Sequence, residues 1–322
     1  MSCILDYLSY YYNYYCFSKK KNIKNDISNY NYSSTKVEID NTYDLLFTSL
    51  KKSYPKLNIV LYEIYNNGIS IHNKNKTQVF LYNNRIYKIC NMFNIKRYLS
   101  IIHTIRNYNI KNVIIPIEIY HNKLQNETVQ IYNYYSKGDL FDYFVNNKLS
   151  YHDILYLYKL IVNIISELHN NNIAHRDLKL ENFLIYYDES NEIKIILIDL
   201  DYSIFINNND NFTGGTEQYA SYEILNNKNI DNWFSVDLWS IGIILYIFIF
   251  KEFPWHNCHH LEDTFNNYIN NYNNTYWYNK LKKLDMKEDQ VVVYSKIFNY
   301  CFNLDSNDRV DINYIKDLLN TI

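Results

Sequence analysis

Apolar residues fall into two regimes along this chain. Between residues 59 and 90 they come in short runs, IVLYEIY, QVFLY and RIYKIC, rich in β-branched and aromatic side chains, which predict three strands. Asn83-Asn84, between the last two runs, predicts a tight hairpin turn, since asparagine tolerates left-handed backbone better than most residues. KRYLSIIHTI then repeats at helical spacing, with Leu99, Ile102 and Ile105 on one face, and VIIPIEIY and TVQIYNYY predict two more strands. After Gly138 the period becomes helical in DLFDYF, DILYLYKLIVNIISELHNN and LWSIGIILYIFIF. The last run, Leu238 to Phe250, is shorter than the roughly 18 residues of a membrane span and predicts a fully buried helix. The expected class is α+β: a small strand-rich lobe with one helix over about 57–135, then a larger, mainly helical lobe over about 136–322.

Residues 1–45 follow neither regime. A tyrosine-heavy stretch is succeeded by polar KKKNIKNDISNYNYSSTK, which predicts a flexible N-terminal extension. Cys3 and Cys16 beside the basic run Lys19–Lys21 leave reversible acylation, and with it peripheral membrane contact, as an alternative to a loose tail.

Composition changes the picture mainly by making glycine informative. The chain has 37 Tyr and 16 Phe against 5 Gly and 3 Pro, a bias typical of an A+T-rich genome, so surviving glycines should mark positions where the backbone tolerates little else. A net charge of −2 offers no basic excess for nucleic acid. Five scattered cysteines without C-x-x-C spacing argue against a disulfide framework or zinc site and fit a reducing, intracellular setting, cytoplasmic or nuclear. The basic run follows the apolar N-terminal stretch instead of preceding it, so no secretory signal is expected.

Candidate chemistry concentrates at residues 175–182, H-R-D-L-K-L-E-N, set between an apolar helix and a strand. Phosphoryl transfer needs a carboxylate to orient the attacking hydroxyl and accept its proton, with an amide oxygen at a fixed remove to help hold Mg²⁺. Asp177 and Asn182 have that spacing. On this octet the chain resembles the eukaryotic protein kinase family from about Leu57 onward, which implies a bilobal kinase-like fold. Later segments extend the resemblance: Asp199 ends the apolar strand IKIILID, GTEQYASYE spans Gly215 to Glu223, VDLWSIG holds Asp237, and LDSNDRVDI holds Arg309. Gly68, Gly138, Gly215 and Gly242 fall where the family uses glycine.

The resemblance implies roles. Asp177 would be the catalytic carboxylate, Lys179 and Thr216 would hydrogen-bond with it, and Asn182 and Asp199 would hold Mg²⁺. ATP would lie against Gly68, Lys88, Tyr132, Tyr134, Asp139 and Asp199, with adenine near the backbone of Tyr132–Tyr135. Glu223 would pair with Arg309, and Asp237 would open the buried helix and brace the catalytic loop. Lys179 resembles serine/threonine-directed members, so the implied reaction is transfer of the ATP γ-phosphate to protein Ser/Thr hydroxyls. Glu181 and Asp139 resemble acidic positions that receive basic residues of a protein substrate. Arg176 suggests a segment ordered by phosphorylation at Thr213 or Ser203.

Three departures weaken the match. Residues 68–73, G-I-S-I-H-N, replace the phosphate-covering G-x-G-x-x-G. No Asp or Glu occurs from Ile89 through Ile117, and Tyr98 stands where a glutamate should fix Lys88. D-L-D at Asp199–Asp201 replaces D-F-G, and Asp201 could add a metal ligand. The alternative reading is a weak or inactive pseudokinase serving as a nucleotide-binding scaffold or allosteric module.

Overall fold

The computed structural model describes residues 35–37, 63–64, 66–74, 77–92, 94–122, 127–208, 214–258, 262–273, 275–309 and 311–322. The chain forms two compact units, one from residues up to Asn91 with Ile117–Asn133, the other from Met92–Pro116 with Tyr134–Ile322.

The first unit is an antiparallel sheet. Strands β1 (Thr35–Val37), β2 (Ile69–Lys74), β3 (Thr77–Tyr82), β4 (Arg85–Asn91), β5 (Glu118–Asn122) and β6 (Glu127–Asn133) lie in the order β1-β5-β6-β4-β3-β2. Asn83 and Asn84 turn the β3–β4 hairpin with φ of +47° and +58°, the pair of positive values that matches strand twist. Alternation along β4 sends Tyr87 and Ile89 into a core with Ile64, Phe80, Val129 and Ile131. Ile86 and Lys88 therefore take the other face, shared with their register partners Tyr132 and Gln130 on β6.

Several expectations are corrected here. β1 lies inside the stretch expected to be a flexible extension and pairs with β5, Thr35 opposite His121; Cys3, Cys16 and the rest of residues 1–45 lie outside the described residues. Of the run 59–65, expected to be a strand, only Glu63–Ile64 are described, and they are helical, as are Asn66–Asn67 after it. Gly68 closes that turn by donating its N–H to the Ile64 carbonyl at 2.8 Å. A Cβ at 68 would sit 2.5 Å from the same oxygen, so the close approach requires glycine. β5 starts at Glu118 instead of Val113 because Pro116 has no N–H for a ladder. Ile114 N–H instead bonds the Leu197 carbonyl at 2.8 Å. Helix α1 (Ile95–Asn107) and the residues through Pro116 group with the second unit. Its buried face is Tyr98, Ile101, Ile102 and Ile105, with Leu99 half-buried at its edge.

The second unit contains α2 (Leu140–Asn146), α3 (Tyr151–Asn170), β7 (Ile173–Ala174), β8 (Phe183–Tyr187), β9 (Ile193–Leu197), β10 (Ile204–Phe205), α4 (Tyr222–Leu225), α5 (Trp233–Phe250), α6 (Asp263–Asn271), α7 (Tyr276–Leu281), α8 (Glu288–Cys301) and α9 (Ile312–Leu319). α3 starts at a capping box in which Ser150 and Asp153 satisfy each other's backbone N–H. α5 is buried continuously from Ser235 to Ile249. It is long and apolar enough to cross a membrane, but 89% of it is buried inside the protein, as expected for a core helix. The aromatic excess fills the space around it: Phe302 packs edge-on to Trp255 and Trp239 with ring centroids 5.0 and 5.3 Å apart.

Candidate active site

The loop from His175 to Asn182 follows β7 and is braced from below by α5. Asp237, fully buried in that helix, accepts hydrogen bonds from the backbone N–H groups of His175 and Arg176, both at 2.7 Å, and bonds His169 Nε2 at 2.9 Å. Burial works against the Asp237 charge, but the His169 hydrogen bond, the charges of His169 and His175 and the His175 N–H outweigh it and hold the carboxyl below its usual range. The brace expected of Asp237 is present. The opening of the helix is not its role: Asn232 is the N-cap, its side chain accepting from Phe234 N–H at 2.9 Å.

Asp177 is buried and held on both carboxylate oxygens. Oδ2 accepts from Lys179 Nζ at 2.9 Å, and Oδ1 accepts from the Thr216 N–H at 3.0 Å and Thr216 Oγ1 at 2.9 Å. Lys179 Nζ also reaches Thr216 Oγ1 at 2.8 Å, closing a triangle. Burial opposes the Lys179 charge, yet the Asp177 carboxylate, by charge and hydrogen bond, overcomes it and raises the ammonium above its ordinary value. Gly215 brings Thr216 in with a φ of +118°, and a Cβ there would lie 3.3 Å from the Arg176 carbonyl. Thr216→Val should therefore leave the fold intact and lower kcat about tenfold, since it removes a charge-assisted bond that aims Asp177; steady-state phosphate transfer checks this.

The hairpin of β8 and β9 brings the two metal-ligand candidates to one end. Phe183 pairs with Leu197, and Ile198 N–H donates to the Asn182 carbonyl at 2.9 Å, so Asp199 follows directly beside Asn182. The Asn182 amide nitrogen donates to the Asp177 carbonyl at 2.8 Å, which fixes the orientation of its oxygen. Asp199 has a φ of +65°, a left-handed conformation of the sort that collects at functional sites. Among the described residues no cluster of three His, Cys, Asp or Glu side chains could hold a metal alone. One carboxylate and one amide oxygen instead suit Mg²⁺, which binds few protein ligands and takes the rest from phosphates and water.

Two acidic groups lie close by. Asp139 caps α2 by accepting from Asp142 N–H at 2.8 Å, and burial raises its pKa to about 7. Burial likewise raises Glu181, to whose carboxylate Tyr219 Oη donates at 3.4 Å. An acid with a raised folded pKa binds protons more tightly in the native state, so it costs stability as pH rises from its ordinary value of 3.8 to about 7. Asp139→Asn retains the cap and should flatten the fall in stability across that window, measurable by urea unfolding at pH 5, 6, 7 and 8.

Beyond the loop, Glu223 pairs with Arg309 as expected, Nη1 to Oε1 at 2.5 Å and Nη2 to Oε2 at 2.9 Å. Ser203 is fully buried, which corrects its expected role as a phosphate acceptor, and Thr213 lies outside the described residues.

The remaining predicted residues divide between the units. Lys88 and Tyr132 share one face of the first unit's sheet, while Tyr134 belongs to the second unit. The loop expected over 68–73 is corrected: 69–74 form β2, with a bulge between Ser70 and His72, and the β2–β3 connection at 75–76 lies outside the described residues. Gly68 serves the turn on Ile64 and not that connection. Tyr98, at the position expected for a glutamate, is buried in α1. Sequence reasoning missed Gln130, which faces Lys88 across the ladder and accepts from Tyr132 Oη; only strand register reveals it. It also missed Arg97, whose guanidinium donates to the Asp201 carbonyl at 2.9 Å and ties α1 to the D-L-D segment.

A carboxylate clamped by lysine and threonine, beside an asparagine and an aspartate at the end of one hairpin, defines a protein kinase domain. The chain belongs to that family: the protein kinase domain model matches residues 69–320. Among curated relatives it is 32% identical over 173 residues to mouse NUAK family SNF1-like kinase 1, covering 52% of this chain and 25% of that protein. It is 28% identical over 204 residues to the Arabidopsis SNF1-related protein kinase catalytic subunit alpha KIN12, covering 63% and 38%. The chain thus spans well under half the length of these relatives. Kinases of this family generally use ATP and Mg²⁺ on protein substrates.

Proposed function

We propose that this chain is an ATP- and Mg²⁺-dependent protein kinase that phosphorylates serine and threonine. The observation that carries the reading is the Asp177–Lys179–Thr216 triangle, which presents one buried carboxylate in a fixed orientation. Asp177 would accept the proton of the attacking hydroxyl, a role worth about 10²–10⁴ in rate. Lys179, whose charge the Asp177 carboxylate favours, would stabilise negative charge developing on the transferred group. Asn182 and Asp199 would hold Mg²⁺, which when bound neutralises phosphate charge. Burial, which disfavours the charge of Asp139 and Glu181, would be offset by a basic residue of the substrate, which favours Arg or Lys near the target hydroxyl. The relatives' names, both kinases and one a protein kinase, point the same way for the reaction class.

The test is transfer of label from γ-labelled ATP to Ser-, Thr- and Tyr-containing basic peptides, with and without Mg²⁺. Label on serine and threonine but not tyrosine, lost with EDTA, is expected. Nucleotide binding without transfer to any acceptor would favour the pseudokinase reading, whose own support is the buried Tyr98 in place of a glutamate.

A further inference from the structure

The second unit carries a cleft of about 270 Å³ that none of the candidate catalytic or metal-binding residues lines. One wall is a stripe of α3, Leu160, Asn163, Ile164 and Glu167, at the i, i+3, i+4 and i+7 spacing that puts side chains on one helix face. Lys194 and Ile195 of β9, Lys316 of α9 and the turn at Asn112 complete it. Hydrogen bonds fix these walls in advance. Glu167 Oε2 accepts the Lys111 N–H at 3.0 Å, Asn112 Oδ1 accepts from Tyr186 Oη at 3.1 Å, and the Asn112 carbonyl accepts the Leu197 N–H at 2.8 Å. Lys194 Nζ is already paired, with Glu192 at 2.7 Å and Tyr156 Oη at 3.2 Å.

What this leaves is one charge of each sign. Among the described residues Lys316 Nζ has no hydrogen-bond or ion-pair partner, Glu167 Oε1 has none, and the two side chains do not pair with each other. Between the charged groups the lining is apolar: Ile164 and Ile195 are 3% and 1% exposed, and Leu160 is half-buried. An anion would meet Lys316 but also face Glu167, and a cation would suffer the reverse. A ligand carrying both charges on a short aliphatic body satisfies all three features. The volume lies below the roughly 300–1,000 Å³ of ordinary ligand sites, so it suits a molecule smaller than a nucleotide. We propose that this cleft binds a free aliphatic α-amino acid, its carboxylate on Lys316, its ammonium on Glu167 and its side chain over Ile164 and Ile195. The proposal is independent of the kinase reading above.

Calorimetric titration of the full chain with L-leucine should give saturable binding at one site. Isocaproate, which is leucine without its amine, and isoamylamine, which is leucine without its carboxylate, should each bind at least tenfold more weakly, because each forfeits a charge-assisted bond. Glycine keeps both charges but has no aliphatic body, and should also be at least tenfold weaker. A peptide ending in leucine, with its amine far from its carboxylate, should behave like isocaproate. The substitutions should cross. Lys316→Met should weaken leucine and isocaproate but not isoamylamine. Glu167→Gln, whose amide oxygen can still accept the Lys111 N–H, should weaken leucine and isoamylamine but not isocaproate. No saturable leucine binding, binding of isocaproate or the peptide as tight as that of leucine, or leucine binding unmoved by both substitutions overturns the proposal. Should a variant fail to fold, the ligand series on the unaltered chain decides.

Discussion

Asn at position 177 should reduce phosphoryl transfer by about 10²–10⁴-fold while leaving nucleotide affinity within a factor of a few. The amide has nearly the shape of the carboxylate and can still accept from Thr216, so the fold around it should survive. It cannot take a proton from a hydroxyl, and it removes the charge that Lys179 now neutralises at 2.9 Å. The comparison needs three measurements: label transfer, nucleotide titration with Mg²⁺, and thermal unfolding to show that the variant is native. Transfer at the wild-type rate by a folded Asp177→Asn protein would remove this carboxylate from the reaction.

The second large effect concerns stability. Arg309→Met should lower unfolding free energy by about 3–5 kcal/mol, because it strands the Glu223 carboxylate in the interior. The side chains of Arg309 and Glu223 are 0% and 3% exposed, and the guanidinium also donates to the Ser235 and Asn303 carbonyls at 3.0 Å and lies 4.9 Å over Trp239. For a domain of this size the midpoint should fall by roughly 10 °C, measurable by calorimetry. Glu223→Leu combined with Arg309→Met should recover much of the loss, since burying neither charge is often as good as burying both. An Arg309→Met protein that melts with the wild type would show that the pair contributes little.

Much of the second unit could be read from the linear chain. HRDLKLEN and the continuous apolar run of α5 are patterns legible by themselves, and the glutamate–arginine pair 86 positions apart is what the family resemblance implies. The hairpin at Asn83-Asn84 was legible because its chemistry is local. The first unit was harder. A run such as IVLYEIY suits a strand or a buried helical turn equally, and periodicity over seven residues cannot separate them. At Gly68 the structure shows a close approach to the Ile64 carbonyl, and in a glycine-poor sequence that leaves the same trace as a close approach to a phosphate.

The sequence by itself determined the family, through the resemblance carried by HRDLKLEN and the segments after it, and an α+β order of elements. Only tertiary structure decided that Tyr98 is a core residue, that β1 extends the sheet, that Ser203 is inaccessible and that Glu167 and Lys316 line one cleft. The reason is physical. Catalytic spacings and turns depend on neighbours a few residues away, whereas burial, sheet edges and charge compensation depend on which distant segments arrive beside them. A glutamate and a lysine far apart in the chain come to line one cleft only when α3, β9 and α9 have packed.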